Sequence, residues 1–418
     1  MAKILILIGG HLCNAPRPYK EADTLANAGH QVIVGGFWFD PEFIKRDRLL
    51  MINKKWQFVP IIDFQPNNKL TNLRVRMRSR IAKETFKKFG AFSPALLGYG
   101  ATDMLKYAYR IKADLTIVHS EAGLWVGSQL LDHGFKIGVD FEDWFSEDLL
   151  PDARITRPIK QLKKLENRLI NECTYSITTS QALANAMAEA YDAPRPAVIY
   201  NSFPWAERAQ IDHDKRDRQN LNLPSLHWFS QTIGSGRGLE TLFQSLHHFN
   251  IPLEIHLRGN CSKNIRQWLE SQIPNLWRDR VFIHPTVPNQ ELLSRISEHD
   301  IGLALEYSNI INRNLTITNK LFQYLQAGLA VIATDTAGQQ EVLSQNPEVG
   351  RLIPSNHPLA LAQAIKDLLQ TPDNLKTSKL ASLQAAKEVF CWELEPEKIV
   401  QLANKALQIS EHLTNCRS

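Results

Sequence analysis

The stretch "ITNKLFQYLQAGLAVIATDTAGQQE", from Ile317 to Glu341, decides the fold. Its first apolar residues recur with the period of a helix, and Gly328, a residue typical of helix ends, stops that pattern. A short apolar run follows, and a polar turn around Gly338 leads into a second helix. Helix, buried strand and helix in this order predict a parallel α/β sheet, whose ligands bind at the carboxyl ends of the strands.

The same alternation of strand-like and helical patterns runs through the chain. The predicted strands are Lys3–Ile8, Gln31–Gly35, Trp56–Ile61, Ala113–His119, Lys136–Asp140, Tyr175–Thr179, Ala197–Tyr200, one in "LHWFSQT", Leu253–Arg258, Val281–His284, Ile301–Leu305 and Ala330–Thr334. Because the polar, proline-bounded segment Ser202–Pro224 separates the two halves, we place an interdomain linker there. We therefore predict two Rossmann-like, doubly wound α/β domains.

Composition narrows the functional class. The 418 residues are 44% apolar and 22% charged, as in a soluble globular protein. A net charge of +5 disfavours dedicated nucleic-acid binding, and the sequence contains no apolar run of the roughly 20 residues needed to cross a bilayer. The opening "MAKILILIGG" is read as a first strand rather than a signal peptide. The cysteines are odd in number and scattered, which predicts a reducing cytoplasm; they are Cys13, Cys173, Cys261, Cys391 and Cys416.

One segment departs from this mild charge. Residues 69–88, "KLTNLRVRMRSRIAKETFKK", contain eight Arg and Lys side chains and a single acid, Glu84. Apolar residues interleave with the cations, as in an amphipathic surface helix. Two interpretations stay open: a solvated helix face, or a basic patch that contacts anionic lipid or an anionic acceptor at the inner face of a membrane.

The glycine-rich turn "IGSGRG" follows a predicted strand and opens a helix. Gly234 and Gly236 leave backbone N–H groups accessible to an anion, and Arg237 adds a charge suited to phosphate. An ordinary tight turn is the alternative. The spacing matches neither a Walker loop nor the dinucleotide fingerprint, which disfavours a nicotinamide dehydrogenase.

The stretch Ile317–Glu341 places a second set of polar residues at the carboxyl ends of the same strands. Lys320 lies in the first turn of its helix beside Asn319, where it could reach a phosphate, and Gln323 lies one turn further, placed for a ribose hydroxyl. Thr334 ends the next strand, and backbone amides follow at Gly338. As a set, these residues predict a ligand site.

Several segments together resemble a known family. "NKLFQYLQAGLAVIATDTAGQQE", "SQTIGSGRGLETL" and "DRVFIHPTVPNQELLSRISEHDIGLAL" resemble the nucleotide-sugar-binding half of retaining GT-B glycosyltransferases of group 1. "GGHLCNAPRPYKEADTLANAGHQVIVGG" and "VDFEDWFSED" resemble the acceptor-side half. The resemblance implies two Rossmann-like domains facing a cleft, at residues 1–204 and 205–390, and a C-terminal helix, residues 391–418, that returns to the first domain.

The resemblance also assigns roles on the acceptor side. It implies that the loop at Gly9 and Gly10, with His11, Arg17 and Lys20 after it, approaches the donor phosphates and the acceptor, and that His119 contacts the transferred sugar. A loop histidine and a strand-end structural histidine are the alternatives for His11 and His119. Glu142 and Asp143 end a strand, so acceptor hydrogen bonding is predicted for them rather than metal binding, with a helix N-terminal role as the alternative.

One motif departs from the family pattern. The family often has two glutamates eight positions apart around the donor-binding helix, and Leu315 and Gln323 occupy those positions here. Gln323 can still donate to a ribose, but a hydrogen bond without the charge is weaker by about 1 kcal/mol. Leu315 cannot replace a carboxylate, which leaves Asn314, Thr316 and Thr318 as polar candidates.

The implied activity is transfer of a sugar from a UDP- or GDP-sugar to a glycan, lipid-linked or small-molecule acceptor. The resemblance implies retention of configuration with neither a metal nor a separate cofactor. Arg237 and Lys320 are then the groups that neutralise the leaving diphosphate. Two alternatives remain: a nucleotide-sugar epimerase or hydrolase on the same scaffold, and a binding protein with reduced catalysis.

Overall fold

The computed structural model of the protein describes residues 1–65, 69–148 and 154–414. Its contacts divide the chain into two compact units. Unit 1 comprises Met1–Thr179, Leu183–Ile199 and the C-terminal segment from Glu395, and unit 2 comprises Ser180–Ala182 and Tyr200–Leu394. Residues 415–418 of the predicted returning helix, with Cys416, lie outside the described residues. Among the described residues no helix is both long and apolar enough to span a membrane.

Unit 1 is built on a parallel sheet of seven strands in the order β3-β2-β1-β4-β5-β6-β7. The strands are β1 (Lys3–Leu7), β2 (Gln31–Trp38), β3 (Gln57–Asp63), β4 (Leu115–Val118), β5 (Ile137–Phe141), β6 (Tyr175–Thr178) and β7 (Ala197–Val198). The helices are α1 (Pro16–Asn27), α2 (Pro41–Leu50), α3 (Lys69–Phe89), α4 (Ala101–Ile111), α5 (Ser120–Leu131), α6 (Ile159–Glu172), α7 (Gln181–Tyr191) and the C-terminal α16 (Pro396–Thr414). The central strands are buried on both faces, which explains their continuous apolar runs.

Helix α16 completes unit 1. It packs on α1 and β4, and Lys136 Nζ donates to the carbonyl oxygen of Ala406 at 2.8 Å. The prediction that the C-terminal helix packs on the N-terminal domain is confirmed.

Unit 2 is built on a parallel sheet of six strands in the order β10-β9-β8-β11-β12-β13. The strands are β8 (Ser225–Thr232), β9 (Glu254–Asn260), β10 (Val281–His284), β11 (Ile301–Ala304), β12 (Ala330–Thr334) and β13 (Gly350–Ile353). The helices are α8 (Leu239–Ser245), α9 (Lys263–Gln272), α10 (Asn289–Ile296), α11 (Ile311–Leu315), α12 (Asn319–Ala327), α13 (Ala337–Leu343), α14 (Pro358–Leu369) and α15 (Pro372–Glu388). Apolar cores on both faces of the sheet make this unit doubly wound, as predicted.

The segment Ser202–Pro224 is not the linker that its composition predicted. The Arg218 guanidinium is almost fully buried and donates to Glu254 at 2.9 Å and to Asp300 at 3.3 Å. The backbone N–H of Asp217 donates to Glu298 at 2.7 Å. Charged residues that suggested a solvated linker instead fix the segment to unit 2, because Asp212, Asp217 and Arg218 pair with oppositely charged side chains outside the segment.

Unit 2 also contains a row of four neighbouring histidine rings, of which His227, His256 and His299 are buried and His284 is half-buried. His227 stacks on His299 at 4.5 Å, and His299 lies 4.5 Å from His256, which in turn lies 5.3 Å from His284. Burial and mutual repulsion hold the pKa of His227 and of His299 well below the usual value of 6.5. Burial also lowers the pKa of His256 to about 4.

We expect unit 2 to lose stability in mild acid. Because the folded pKa values lie below the unfolded value, the unfolded chain binds more protons, and stability falls as pH falls from about 6.5 towards about 4. Hydrogen exchange of peptides from β8–β11 between pH 7 and pH 4.5 measures this loss. Replacing the exposed His213 with glutamine is the control that should leave the profile unchanged. Equal protection at both pH values would contradict the prediction.

Candidate functional site

Both sheets reverse their strand order at one point. In unit 2 the reversal lies between β8 and β11, and in unit 1 between β1 and β4. At such a point neighbouring connections leave in opposite directions and open a crevice beyond the carboxyl ends of the strands. The turn Gly234–Gly238 follows β8, and the loop at Gly9 follows β1. The predicted residues therefore lie where a doubly wound sheet binds its ligand.

The glycine-rich turn of unit 2 is held by its own side chains. Gly238 has φ +82°, and a Cβ there would lie 2.4 Å from Cβ of Leu305, so only glycine fits. The N–H of Gly236 donates to the Glu240 carboxylate at 2.8 Å, and the Tyr307 hydroxyl donates to the same carboxylate at 3.0 Å. The sequence predicted that the Gly236 N–H would point at a bound anion. In the structure it donates instead to the carboxylate of Glu240. A Cβ at Gly234 would point into open space, with no atom of the described residues beyond its chain neighbours within 4 Å.

Two arginines border the turn. Arg237 Nη1 donates to the Ser230 hydroxyl at 3.1 Å and is solvent-exposed. Arg313, on α11, donates to the carbonyl oxygen of Gly236 at 3.0 Å. Sequence reasoning found Arg237 and missed Arg313, which lies 77 residues after the carbonyl it contacts. The turn thus has two guanidinium groups beside it.

Lys320 is the best-fixed cation of the site. Its ammonium is largely buried, 2.8 Å from the Glu306 carboxylate and 5.7 Å from the centre of the Trp228 ring. The Glu306 N–H donates to the Thr334 hydroxyl at 2.9 Å. The structure therefore brings Lys320 and Thr334 together, as the sequence indicated. It adds Glu306, which sequence reasoning missed although it follows β11.

The remaining predicted donor residues surround this pair. The side-chain oxygen of Asn319 accepts from Asn201 at 2.9 Å. Gln323 is half-buried on α12, one turn beyond Lys320. A Cβ at Gly338 would lie 2.3 Å from the carbonyl oxygen of Thr316, so this glycine permits a close backbone approach. Ligand binding by Asn319, Gln323 and Gly338 stays a prediction.

The family's glutamate is absent at Leu315, and the sequence suggested neighbouring polar side chains in its place. Two of them make hydrogen bonds within the protein. The Asn314 side chain accepts from the N–H of Ala337 at 3.3 Å, and the Thr316 hydroxyl donates to the carbonyl oxygen of Asn312 at 2.9 Å. The first hydrogen bond joins α11 to the start of α13, and the second lies at the end of α11. The carboxylate that the structure places beside Lys320 is Glu306.

In unit 1 the loop after β1 packs directly on the helix after β4. A Cβ at Gly9 would lie 2.7 Å from Oγ of Ser120, so Gly9 permits contact with the start of α5. Ser120 itself has φ +69°, a conformation that costs a non-glycine residue about 1–3 kcal/mol and is enriched at functional sites. This strained residue follows His119 directly. Ligand contacts of Gly9 and Gly10 stay a prediction.

His119 is clamped between carboxylates. Its Nδ1 lies 2.7 Å from Glu142 and its Nε2 lies 2.9 Å from Glu21. Burial alone would lower the pKa of His119, because it disfavours the charged ring. The hydrogen bonds to Glu142 and Glu21 outweigh burial and raise this pKa to about 10. Both ring nitrogens therefore donate at neutral pH. A ring in this state cannot act as a general base, and its two donors position Glu142 and Glu21.

Beneath His119 lies a fully buried ion pair. Arg17 Nε donates to the Asp140 carboxylate, and Nη1 donates to the carbonyl oxygen of Ile199 at 2.5 Å. Burial raises the pKa of Asp140 to about 6, although the charges of Arg17 and His119 oppose that shift. The resemblance implied that Arg17 approaches the ligands, but with its side chain 1% exposed it supports the sheet from within.

Glu142 and Asp143 are the acidic residues of this group that reach the surface. The Glu142 side chain is 28% exposed, and Asp143 is half-buried. Burial alone would raise the pKa of Glu142, but the hydrogen bond from His119 lowers it. Glu142 is therefore an ionised, oriented carboxylate at the carboxyl end of β5. That makes it suitable for accepting a hydrogen bond from a hydroxyl.

His11 is a structural residue. Its ring is buried, with Nδ1 2.9 Å from Asp47, and Nε2 accepts the N–H groups of Phe39 and Asp40 at 3.0 and 3.1 Å. Both nitrogens are thus used to hold the chain between β2 and α2. The chemical role that the resemblance implied for His11 is corrected by this geometry.

One group of side chains has metal-ligand character. Glu21, His119 and Asp140 each place a ligand atom within 4.8 Å of the others, the one such group of three found in residues 1–65, 69–148 and 154–414. The ring of His119 carries its protons towards carboxylates, whereas a metal ligand must be a deprotonated nitrogen. The geometry therefore fits an ion-pair network better than a metal site.

Residues 234–371 match the family described as "Glycosyl transferases group 1". That segment contains the glycine-rich turn, Glu306, Lys320 and Thr334. No curated protein sequence matches the chain.

Solved structures match nearly the whole chain. Sucrose-phosphate synthase from Thermosynechococcus elongatus is 15% identical with a TM-score of 0.71, over 98% of this chain and 100% of that one. Anabaena HepE in complex with UDP-glucose is 17% identical with a TM-score of 0.69, over 97% and 100%. A Listeria monocytogenes structure described as a UDP-N-acetylglucosamine 2-epimerase matches less well, at 11% identity and a TM-score of 0.53, over 90% of both chains. The likeness confirms the prediction of two Rossmann-like units of the GT-B fold class.

Proposed function

We propose that the protein is a glycosyltransferase that moves a sugar from a nucleotide-sugar donor to a hydroxyl of a glycan, lipid-linked or small-molecule acceptor. The observation that carries this proposal is the set of cations at the strand ends of unit 2: Lys320 fixed by Glu306, with Arg237 and Arg313 beside the turn after β8. This set lies within the segment that matches the group 1 glycosyltransferase family. A crevice at a strand-order reversal with fixed cations suits a diphosphate.

The donor is proposed to be a UDP- or GDP-sugar. Lys320 and Arg237 bind its diphosphate, Gln323 donates to the ribose, and Gly234 leaves room for the ligand. The complex of Anabaena HepE with UDP-glucose supports testing UDP-glucose first. Because Glu306 restrains the Lys320 ammonium, little side-chain entropy is lost when the diphosphate binds.

Transfer is proposed to retain the anomeric configuration. The bond between the anomeric carbon and the diphosphate oxygen breaks, the acceptor oxygen bonds to the same carbon, and the departing phosphate oxygen takes the acceptor proton. Negative charge then grows on the leaving diphosphate, and Lys320 and Arg237 stabilise it without a metal ion. Glu142, oriented by His119, accepts a hydrogen bond from an acceptor hydroxyl. Asp143 is proposed to accept a hydrogen bond from the acceptor as well.

The proposed compartment is the cytoplasm. Cys13, Cys173, Cys261 and Cys391 form no disulfide in the part of the chain that the structure describes. This state suits a reducing environment.

Product analysis tests the proposal against its alternatives. UDP-, GDP- and ADP-glucose are incubated with the purified protein, with and without a panel of glycan and glycolipid acceptors, and products are resolved by mass spectrometry. A glycosylated acceptor supports the proposal. A donor epimer or free sugar formed equally without acceptor would favour the epimerase or hydrolase alternative. Donor binding without turnover would favour a binding protein, for which Leu315 and Gln323 give a physical reason.

A further inference from the structure

Helix α3 (Lys69–Phe89) carries an apolar stripe on its outer face. Leu73, Met77 and Ile81, spaced four residues apart, are 60%, 52% and 57% exposed. The opposite face, with Val75 and Ala82, is buried against unit 1. Helical geometry explains the division, because residues four apart share one face. The helix therefore has two apolar faces, one used for folding and one directed at solvent.

A groove runs beside this stripe. It has a volume of about 550 Å³ and is lined chiefly by apolar atoms of Leu73, Met77, Ile81 and Ala82, with Arg74 and Thr85. Phe89 ends the helix 79% exposed, and Phe92 follows it 36% exposed. Exposed apolar groups that are contiguous, rather than scattered singly, mark an interaction surface.

Cations flank the stripe on both sides. At 100° per residue, Arg74 lies on one flank, and Arg80, Lys83 and Lys87 lie on the other. Among residues 72–89, the exposed cations of the helix are Arg74, Arg76, Arg80, Lys83, Lys87 and Lys88. Glu84 is the single acid in residues 69–88. Arg78 is not one of the exposed cations, because its guanidinium donates to Asp103 at 2.7 Å and joins the helix to α4.

We propose that the outer face of α3 binds the surface of an anionic lipid bilayer, with Leu73, Met77 and Ile81 inserted at the headgroup boundary and the flanking cations paired with lipid phosphates. An apolar stripe flanked by cations is the pattern of helices that lie in a membrane interface. A soluble polyanion would pair with the cations but leave the stripe exposed to water. A second copy of this chain would bring the cations of the two copies together. The proposal does not depend on the proposed glycosyl transfer.

The test is co-sedimentation with vesicles of phosphatidylcholine alone and of phosphatidylcholine with 30% phosphatidylglycerol. We expect binding to the anionic vesicles only, and weaker binding as salt is raised, because exposed charges are screened. Arg80→Gln, Lys83→Gln and Lys87→Gln combined should weaken binding about 100-fold, since each cation near such a surface contributes about fivefold. Leu73→Ser, Met77→Ser and Ile81→Ser combined should abolish binding while the far-ultraviolet circular dichroism stays unchanged.

Two matched controls separate the face from general charge and hydrophobicity. The first control changes three exposed apolar residues elsewhere to serine: Leu221, Leu276 and Leu380. The second changes three exposed lysines elsewhere to glutamine: Lys160, Lys164 and Lys376. Both variants should bind vesicles as the unaltered protein does.

Three outcomes would overturn the proposal. The first is no preference for anionic vesicles. The second is binding that depends on the cations but not on the apolar stripe and is matched by heparin, which would indicate a polyanion. The third is a dimer in light scattering that the serine variant abolishes, without vesicle binding, which would indicate a second copy of the chain.

Discussion

Replacing Lys320 with alanine is expected to weaken binding of UDP or GDP by about 10–100-fold, since a hydrogen bond to a charged group contributes about 1.5–3 kcal/mol. The turnover number is expected to fall by about 100-fold or more, because the same ammonium faces charge that grows on the leaving diphosphate. Calorimetric titration with the free nucleotide measures the first effect without requiring an identified acceptor. Initial rates measure the second.

The control for this variant is Lys379→Ala. Lys379 also pairs with a carboxylate of unit 2, that of Asp300, at 2.8 Å. Asp300 precedes β11, whereas Glu306 follows the other end of that strand, so nucleotide affinity should not change. Removing Lys320 leaves the Glu306 carboxylate without its partner. The double variant Lys320→Ala with Glu306→Gln removes that unpaired charge, so a change in affinity can be assigned to the loss of Lys320. If the double variant folds and still binds the nucleotide with unaltered affinity, Lys320 does not bind the diphosphate.

Replacing Arg17 with alanine is expected to destabilise unit 1 by about 3–5 kcal/mol, the range found when one partner of a buried ion pair is removed. Arg17 and Asp140 are 1% and 0% exposed, so the Asp140 carboxylate would stay buried with only the His119 ring, 3.7 Å away, to oppose its charge. Hydrogen exchange of peptides from β1, β4 and β5, followed through a urea titration, measures the loss in unit 1 separately from unit 2.

Two further variants test the physical reason. Asp140→Asn added to Arg17→Ala should recover part of the loss, because it removes the unpaired charge. Lys45→Ala breaks an exposed pair with Glu42 in the same unit and should have little effect. A loss for Arg17→Ala as small as that for Lys45→Ala would contradict the role given to this ion pair.

Residues close in sequence could be predicted well. The quoted stretch predicts a helix that ends at Gly328, and α12 ends there with Gly328 at φ +79°. The strand Ala330–Thr334 is present with the predicted ends. In both cases the periodicity and the turn residue report local geometry directly.

Contacts between distant residues could not be predicted in the same way. Arg17 meets Asp140 across 123 residues, and His11 meets Asp47 across 36. A sequence shows that these side chains are polar but not which partner satisfies them. The rule that selected Thr334, a polar residue ending a parallel strand, could have selected Glu306 as well. Glu240 carried no such signal, because its hydrogen bond to Gly236 depends on the conformation of the turn.

Short or polar elements escaped the sequence pattern for another reason. Strand β13 and helix α15 (Pro372–Glu388) were not among the predicted elements. The strand has four residues and begins with Gly350 and Arg351, which give no apolar alternation. Long-range packing, rather than local propensity, decides such elements.

The central claim is that the strand ends of unit 2 bind the diphosphate of a nucleotide sugar. A crystal structure of the protein soaked with UDP-glucose, and in parallel with GDP-glucose, tests it most directly. We expect diphosphate oxygens within hydrogen-bond distance of Lys320 Nζ and of the Arg237 guanidinium. A nucleotide bound elsewhere on the chain, with these two cations still paired only to Glu306 and Ser230, would contradict it.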